Sequence, residues 1–476
     1  MTHRRLDFYW MRRAWLVMFL VSACQPQVAS FPSGVSGEQP LDDPMQAIAV
    51  SAQPTATPLP TRPIYQPGEL VDYIAQPGDT LPALAVRFNT TEEEILQANP
   101  IIPRSATTMP PGMPMKIPIY YTPFWGNPFK ILPDSLFVNG PSMMGFDSQQ
   151  FVDSQPGWLN GYVEYAAGAS RSGVQIVDLV ALNFSLSPSL LLALLEYQSG
   201  ALSQPDPPAI ARIYPMGYQA RERKGLYRQL LWSANTLNNG YYGWRTTHLT
   251  YLEHADGRTE LFDPWQNAAT VALHHFFHLT LPLESYRQAT SPEGFVAIYH
   301  SLFGDPWSTD QPHIPGSLEQ PSFTLPFLPG GAWSLTGGPH TGWGTGDPLA
   351  ALDFAPPSTM QGCVPTDHWA TAVAPGVVVR SEEGVVVLDL DGDGDERTGW
   401  NVFYLHVGTV GRAPLGASLQ TGDPVGHPSC EAAKAPAPTS TSRASTTGSG
   451  SPPKARWDST WKDGLRTMAV GPTWAP

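Results

Sequence analysis

Three side chains that can bind a metal or move protons lie in the last third of the 476-residue chain: His340, Asp353 and His406. Imidazole nitrogen and carboxylate oxygen are common ligands of divalent metals in proteins, and imidazole also acts as an acid or base near neutral pH. Each residue lies beside a short apolar run or a glycine-containing turn. The residue types therefore favour metal-assisted or acid–base chemistry, provided that the fold brings them together.

Short apolar runs between glycine turns predict an all-β unit from Phe327 onward. Val377–Val379 and Val385–Leu388 are predicted hairpin strands, and Val402–Leu405 is a predicted strand that leads into the third candidate residue. The turn Asp389–Asp395 has the acidic spacing of a calcium loop. An EF-hand loop would need glutamate where Trp400 stands, so the sequence favours a polar hairpin turn.

The segment from Thr336 to Cys430 resembles the lysostaphin/LytM-type zinc endopeptidases. The resemblance implies that His340 and Asp353 bind Zn²⁺ and that His406 is a catalytic histidine, which positions or deprotonates the water on the metal. The family spacing is His-x-x-x-Asp, whereas here the loop Thr341–Pro348 separates the two ligands. The motifs that carry the resemblance are Gly337-Gly338-Pro339-His340, Ala350-Ala351-Leu352-Asp353-Phe354-Ala355, Pro375-Gly376-Val377-Val378, Tyr404-Leu405-His406-Val407 and Gly422-Asp423-Pro424-Val425-Gly426.

The same resemblance implies a third zinc ligand and a second catalytic histidine on a His-x-His strand near the C-terminus. No His-x-His follows His406, and the single later histidine, His427, lies between Gly426 and Pro428. Catalytic zinc sites use three protein ligands. With two, zinc is expected to bind weakly or not at all.

The composition changes after Glu431. Residues 432–476 lack helix or strand periodicity, which predicts disorder. With free choice of third bases, residues 431–451 can be encoded by DNA in which one added G, after the first codon, yields EGGKGTGTHIHLARKYNGEWI. That string contains a His-x-His. We therefore expect a frameshift at codons 431 and 432, an out-of-frame tail at 432–476, and a truncated peptidase-like domain at 327–431.

Residues 69–121 have the pattern of a βααβ unit. Tyr73–Ala75 is a predicted strand, Thr80 caps a first helix, and Thr91 with Glu94 forms a capping box for a second. Met115–Pro118 is the predicted closing strand.

This unit resembles the LysM module through Gly78-Asp79-Thr80-Leu81, Ala98-Asn99-Pro100 and Pro111–Pro118. The resemblance implies binding to glycans that contain N-acetylglucosamine, mainly peptidoglycan. A βααβ unit without a ligand is the alternative. The implied glycan-binding residues form two loops: Gly78, Asp79, Thr80 and Leu81, and Asn99, Pro100 and Ile101.

Residues 122–310 are predicted to be a connector followed by a mainly helical domain, with a linker at 311–326. The helix after Ser187-Pro188 has a leucine run that Glu196 interrupts. It faintly resembles the lysozyme-like fold of lytic transglycosylases, which implies a general acid at Glu196. Those enzymes place serine after the glutamate, whereas Tyr197 follows here. A structural carboxylate that faces solvent or an arginine is the alternative.

Further helices are predicted near Leu226–Asn238 and Asn267–Leu279. The second contains His274 and His278, one helical turn apart, which could share a metal. The zincin pattern needs glutamate directly after the first histidine, where His275 stands, and no third ligand is evident. The sequence therefore does not favour a metal site in this helix.

The N-terminus is predicted to be an export signal, with four arginines before the apolar run Ala14–Ala23. Val21-Ser22-Ala23-Cys24 resembles a bacterial lipobox, which implies removal of residues 1–23 and lipidation of Cys24. Acyl chains would hold the protein on the outer face of a membrane. Ordinary secretion is the alternative, and residues 24–68 are a predicted Pro/Ser-rich spacer.

Two further cysteines, Cys363 and Cys430, could close a disulfide in an oxidising compartment, or remain as thiols. The net charge of −14 comes from scattered carboxylates, and there is no basic patch. Nucleic acid is therefore excluded as a partner.

The sequence thus predicts a multidomain α+β lipoprotein at the cell envelope, anchored to a membrane and bound to peptidoglycan. Its predicted function is that of a zinc endopeptidase of peptide cross-links, impaired in this copy. One alternative is a non-catalytic protein that positions or activates other hydrolases. The other is glycan cleavage through Glu196.

Overall fold

The computed structural model describes residues 61–120, 125–308, 310–314, 316–358, 366–382 and 384–431. Within these ranges, a small mixed unit is followed by a helical unit and then by a unit of antiparallel strands. The α+β class predicted from the sequence is confirmed. The signal peptide, Cys24, most of the spacer, Cys363 and the tail after Glu431 lie outside the described residues.

The first unit has the predicted βααβ order. The Thr80 side chain accepts a hydrogen bond from the Ala83 backbone N–H, and Thr91 with Glu94 forms the expected capping box. Both helices therefore begin where their polar caps satisfy exposed backbone groups. The elements are β1 (Glu69–Ile74), α1 (Leu81–Arg87), α2 (Glu92–Ala98) and β2 (Pro114–Ile119), with β1 antiparallel to β2.

The second unit packs helices around one apolar core. Helix α5 is buried on all sides from Leu190 to Leu195, which explains its uninterrupted leucine run. Among the described helices, none has both the length and the apolarity to cross a bilayer. The elements are α3 (Ser148–Asp153), β3 (Val163–Ala166), β4 (Ala169–Ser172), α4 (Gly173–Phe184), α5 (Pro188–Ser199), α6 (Ala209–Ile213), α7 (Leu226–Arg245), β5 (Tyr251–Glu253), β6 (Thr259–Leu261), α8 (Ala268–Thr280), α9 (Leu283–Ala289) and α10 (Phe295–Phe303).

Helix α7 is longer than the sequence predicts, because it continues past Asn238 to Arg245. Its glycines allow close packing: a Cβ at Gly240 would overlap the backbone of Ala272 in α8. Trp244, in the last turn, is buried. Tertiary packing therefore compensates for the low helix propensity of glycine at the end of this helix.

The third unit is built from short antiparallel strands, as predicted. Its main sheet has the order β12-β11-β10-β13, and β7 pairs with β8 beside it. Buried Tyr404 joins two parts of the core because its hydroxyl accepts a hydrogen bond from the Val373 N–H at 2.8 Å. The strands are β7 (Ser334–His340), β8 (Ala351–Ala355), β9 (Ala370–Thr371), β10 (Gly376–Glu382), β11 (Gly384–Asp389), β12 (Asn401–Val407), β13 (Ser418–Leu419) and β14 (Pro424–Gly426).

The described part of the predicted linker, residues 311–326, contacts the first unit. The Ser317 N–H donates to the Thr108 carbonyl at 2.9 Å, and the Thr107 hydroxyl donates to the Leu318 carbonyl at 2.8 Å. The sequence predicted only a linker here. The segment is instead ordered by backbone hydrogen bonds to residues about 200 positions earlier in the chain.

Candidate metal centre

His340 and Asp353 lie together where β7 and β8 pair. The Nε2 atom of His340 is 3.1 Å from Oδ1 of Asp353. Two ligands of one tetrahedral zinc, each about 2.0–2.1 Å from the metal, would be about 3.3 Å apart. The register shifts between Gly337, which is opposite Asp353, and His340, which is opposite Ala351. The two side chains are therefore spaced as a pair of ligands would be.

The hydrogen bond of the His340 ring supports that role. Its Nδ1 atom lies 2.6 Å from the Thr341 carbonyl oxygen, so Nδ1 carries a proton and donates it. In the neutral ring, Nε2 then presents a lone pair toward the Asp353 carboxylate. A lone pair and a carboxylate at this distance are stabilised by a cation between them or by a proton on the imidazole. The two donors thus suit a divalent metal ion but provide only part of its coordination shell.

His406 occupies an unusual backbone conformation near the end of β12. Its φ of +63° is in the left-handed region, and it is the extra residue of a β-bulge where β12 passes β11. Such strain and such bulges concentrate where a side chain must be aimed for function. Its Nδ1 atom is 2.9 Å from the Glu431 carbonyl oxygen. Since a carbonyl oxygen only accepts, Nδ1–H donates to it and fixes the orientation of the ring.

The described residues supply only two ligands at this centre. The single group of three metal-binding side chains found in that part of the chain is Asp389, Asp391 and Asp393, so His406 is not a third ligand near the pair. His427 is turned elsewhere, with its Nδ1 2.9 Å from the His368 carbonyl oxygen. The centre therefore falls one ligand short of the three that a catalytic zinc uses.

The loop between the two ligands is held on helix α7. Backbone N–H groups of Thr345 and Asp347 donate to the side-chain oxygens of Asn235 and Asn239, at 2.6 and 2.8 Å. The two asparagines are one helical turn apart, so they present matching acceptors on one face. Trp343, in the same loop, packs against the core of the helical unit. We call the two hydrogen bonds from the Thr345 and Asp347 N–H groups to Asn235 and Asn239 the asparagine clamp.

Two glycines make the asparagine clamp possible. Gly344 and Gly346 both have positive φ, at +81° and +93°. A Cβ at either position would overlap the side-chain oxygen of its asparagine. The glycines therefore provide both the backbone conformation and the close approach. The asparagines and these glycines are site-positioning residues that the sequence analysis missed, because nothing in a local pattern links positions more than 100 residues apart.

Cys430 is a disulfide cysteine. Cys363 and Cys24 lie outside the described residues. The pairing of Cys430 with Cys363 therefore remains a prediction.

The first predicted glycan-binding loop is packed against the helical unit. Asp79 is buried and ion-paired with Arg87 at 2.8 Å, while Thr80 and Leu81 start α1. A Cβ at Gly78 would overlap the Arg245 guanidinium, so the loop touches the end of α7. Structural contacts therefore occupy most of this loop.

The second predicted loop faces solvent. Asn99 closes it by donating to the Ile95 and Lys116 carbonyls, both at 2.7 Å. Pro100 is exposed, and Ile101 is 85% exposed. The Ile101 side chain is therefore an exposed apolar surface next to a rigid polar anchor.

Glu196 holds a loop of the helical unit. Its Oε2 atom accepts hydrogen bonds from the Leu202 and Ser203 N–H groups at 2.7 and 3.1 Å, and the Ser203 hydroxyl donates to Oε1. These are the contacts of a carboxylate that fixes its own helix end to the following turn. The partners are backbone N–H groups and a serine hydroxyl, whereas the structural alternative given above expected solvent or an arginine.

His274 of α8 belongs to a buried hydrogen-bonded network. His274 Nδ1 is 2.6 Å from the Tyr286 hydroxyl, which donates to Glu260, and His254 Nε2 is 2.7 Å from the same carboxylate. Burial lowers the pKa of His274 to about 4. His274 is therefore a neutral core histidine at physiological pH.

Comparisons with protein-family models and with curated proteins agree with this organisation. Residues 73–118 match the LysM domain model, and residues 130–316 match the model described as LasA, N-terminal domain. The chain contains a LysM domain. It is also 26% identical over 233 residues to protease LasA from two strains of Pseudomonas aeruginosa, which is 47% of this chain and 51% of each relative. The chain thus spans about half the length of the curated relatives it matches.

Among solved structures, the M23 metalloprotease pseudoalterin, described as from the deep sea, is 20% identical. The match covers 32% of this chain and 69% of that one, with a TM-score of 0.22.

Proposed function

We propose that this chain is a cell-envelope protein of the zinc endopeptidase lineage, impaired in this copy. Its LysM domain binds the glycan of peptidoglycan, and its β unit is built to act on the peptide cross-links. One observation carries the proposal: His340 and Asp353 are paired at 3.1 Å in a chain that also contains a LysM domain. The similarity to protease LasA supports it.

The residues of the centre would divide the work. A zinc ion held by His340 and Asp353 would supply a Lewis acid for the scissile amide carbonyl. Asp353 contributes the negative charge, and the bond from His340 to the Thr341 carbonyl fixes the ring that presents Nε2. His406, held through Nδ1 by the Glu431 carbonyl, can take up or release a proton at Nε2.

Impairment follows from the two-ligand donor set. We infer that the missing ligand is encoded one base out of frame after Glu431, as the alternative reading of codons 431–451 suggests. The test is to resequence the locus and to express both forms, the chain as it stands and the chain with the added G. Codons incompatible with the alternative string would refute the frameshift.

Zinc content and digestion of purified peptidoglycan then compare the two forms. We expect the restored form to bind about one zinc per chain and to release free amines from cross-links, and the present form to do neither. In the restored form, His340→Ala should abolish both readouts. His300→Ala, a change at an exposed histidine of α10, should alter neither. One tightly bound zinc in the present form would contradict the impairment.

A non-catalytic role is the second candidate, and the two-ligand centre favours it for the present form. In that case the chain binds peptidoglycan and positions or activates other hydrolases. Binding without any product in the digest supports this candidate. Anhydro-sugar ends would support glycan cleavage through Glu196 instead.

Glycan binding can be tested through the exposed LysM loop. Ile101→Asp should weaken sedimentation with insoluble peptidoglycan by about tenfold, because it removes roughly 1.4 kcal/mol of apolar contact. Ile64→Asp changes an isoleucine of similar exposure outside the two loops, at 80%, and is the matched control. Equal binding of the two variants would show that the second loop does not contribute to glycan binding.

Membrane anchoring through Cys24 is the remaining part of the proposal. Metabolic labelling with a fatty-acid analogue should mark the full chain, and Cys24→Ser should lose both the label and the membrane fraction. A labelled Cys24→Ser chain would contradict the anchor.

A further inference from the structure

The connection between β11 and β12 gathers three carboxylates. Asp389, Asp391 and Asp393 each offer an oxygen, and these oxygens lie within 4.8 Å of one another. The spacing matches the first six positions of an EF-hand loop, Asp-x-Asp-x-Asp-Gly, with Gly394 at the sixth. The sequence alone argued against calcium because Trp400 stands at the twelfth position, where such loops have glutamate.

The structure supplies an oxygen that the sequence pattern did not reveal. Asn401 directly follows Trp400 and is fully buried. It lies opposite Asp389 in the antiparallel register, so both side chains leave the same face of the ladder, with Cβ atoms about 5 Å apart. The Asn401 amide is thus directed toward the same volume as the Asp389 carboxylate.

The amide oxygen of Asn401 is buried without a partner. Its nitrogen donates to the Thr398 carbonyl at 2.7 Å and to the Glu396 carbonyl at 3.4 Å, which anchors the side chain inside the hairpin. Its Oδ1 atom has no hydrogen-bond donor within the described residues. A buried acceptor without a donor lowers the stability of the fold, so a cation or a donor beside Oδ1 would be stabilising.

The charge balance of the hairpin points the same way. None of the ion pairs found among the described residues includes Asp389, Asp391 or Asp393. The nearby arginines are engaged elsewhere, Arg397 with Asp395 at 2.6 Å and Arg380 with Glu396 at 2.9 Å. Three carboxylates therefore face one another without a neutralising side chain.

We propose that the Asp389–Asn401 hairpin is a calcium site, in which Asp389, Asp391 and Asp393 provide carboxylates and Asn401 provides its amide oxygen. All four ligands are hard oxygen donors, which Ca²⁺ prefers over zinc. Monodentate and bidentate carboxylates with water complete the six to eight ligands that calcium takes. Asn401 stands in for the absent glutamate of the twelfth position. The site is independent of the function proposed above.

The ion would stabilise the strand that leads into His406. Asn401 begins β12, and His406 is its sixth residue. Asp389 ends β11, so one ion would join the two strands at the loop end of the hairpin.

The test is a titration of the chelator-treated full chain with CaCl₂, followed by calorimetry and by the unfolding temperature. We expect a dissociation constant of roughly 0.1–1 mM, as in extracellular calcium modules, and a rise in unfolding temperature that EGTA reverses. MgCl₂ should have a smaller effect, because Mg²⁺ requires a tighter octahedral shell.

Variants decide where the ion binds. Asp391→Asn and Asp393→Asn change exposed loop side chains, so they should fold, and each should weaken calcium binding at least tenfold. Asp256→Asn, in the turn between β5 and β6, is the matched control and should leave binding unchanged. Absence of calcium binding in the parent chain, or equal binding in all three variants, would overturn the proposal.

Discussion

The two clusters of ligand-type side chains in the β unit are built in opposite ways. His340 and Asp353 come from two strands, and the loop that joins them is held by α7 of another unit. Asp389 and Asn401 belong to one hairpin and are opposite each other in its register. The first centre therefore depends on long-range packing, whereas the second carries its geometry in a stretch of 13 residues. A change far away in the chain should disturb only the first.

The largest effect should come from replacing one ligand in each cluster. In the restored form, which all zinc titrations here use, Asp353→Asn should weaken zinc binding by about a hundredfold, because it removes a charged ligand from the zinc site. Calcium binding should stay within about twofold of the parent. Asp391→Asn should do the reverse. Calorimetric titrations with ZnCl₂ and CaCl₂ measure both, and loss of both metals in either variant would mean that the centres are one unit.

The asparagine clamp gives the second test. Gly344→Ala should lower the free energy of unfolding by about 2–3 kcal/mol, because it combines a left-handed backbone with overlap on Asn235. Zinc binding should weaken and calcium binding should not. Gly330→Ala is the matched control, since Gly330 has a similar φ of +88° and its Cβ would have open space. It should cost only about 1 kcal/mol, and urea titrations compare the two.

Low pH should destabilise the His340–Asp353 centre more than the Asp389–Asn401 hairpin, because only the first centre depends on the helical unit. Burial lowers the pKa of His274 to about 4, below its usual 6.5, so the unfolded chain binds a proton that the folded chain does not. The contribution to stability is complete above about pH 6.5 and falls as the pH drops toward 4, by up to about 1.4 kcal/mol per unit. Helix α8, which contains His274, packs on α7, so acid should loosen the asparagine clamp before the hairpin.

Thermal unfolding between pH 7.5 and 4.5 checks this dependence. His274→Gln should flatten the pH slope, and His300→Gln, at an exposed position of α10, should leave it as in the parent. A slope unchanged by His274→Gln would assign the acid sensitivity to other groups. Carboxylate protonation affects all three chains equally, so only the difference in slope is interpreted.

The smallest effect is expected at the contact between the hairpin and the helical unit. Arg397 is part-exposed, pairs with Asp395 and donates to the Met143 carbonyl at 3.2 Å. Arg397→Gln should change stability by about 0.5 kcal/mol or less, as for other partly exposed ion pairs. It should leave calcium affinity within about twofold. A tenfold loss of calcium binding would show that the hairpin also depends on long-range packing.

Local patterns predicted local structure well. The capping box at Thr91, the leucine run of α5 and the hairpin strands of the β unit are all present, because each is determined by neighbouring residues. The closeness of His340 to Asp353 was expected only from a resemblance to a family. No periodicity connects two strands across a loop that another unit holds.

Two of the features that the sequence did not predict are non-local. The asparagine clamp joins residues more than 100 positions apart, and Gly78 meets Arg245 across a similar separation. Asn401 escaped notice for another reason. It lies one place beyond the motif, and only the strand register shows that it lies opposite Asp389. Burial, which made its oxygen informative, is a property of the folded chain.

The asparagine clamp recognises backbone and not side chains. Asn235 and Asn239 accept hydrogen bonds from N–H groups that every residue except proline has, and the Thr345 side chain is exposed. Position 345 can therefore carry a chemically different group without loss of docking, provided that Gly344 and Gly346 remain. The fluorescence of an environment-sensitive dye attached at this position would show whether the loop Thr341–Pro348 is bound to α7 or released from it.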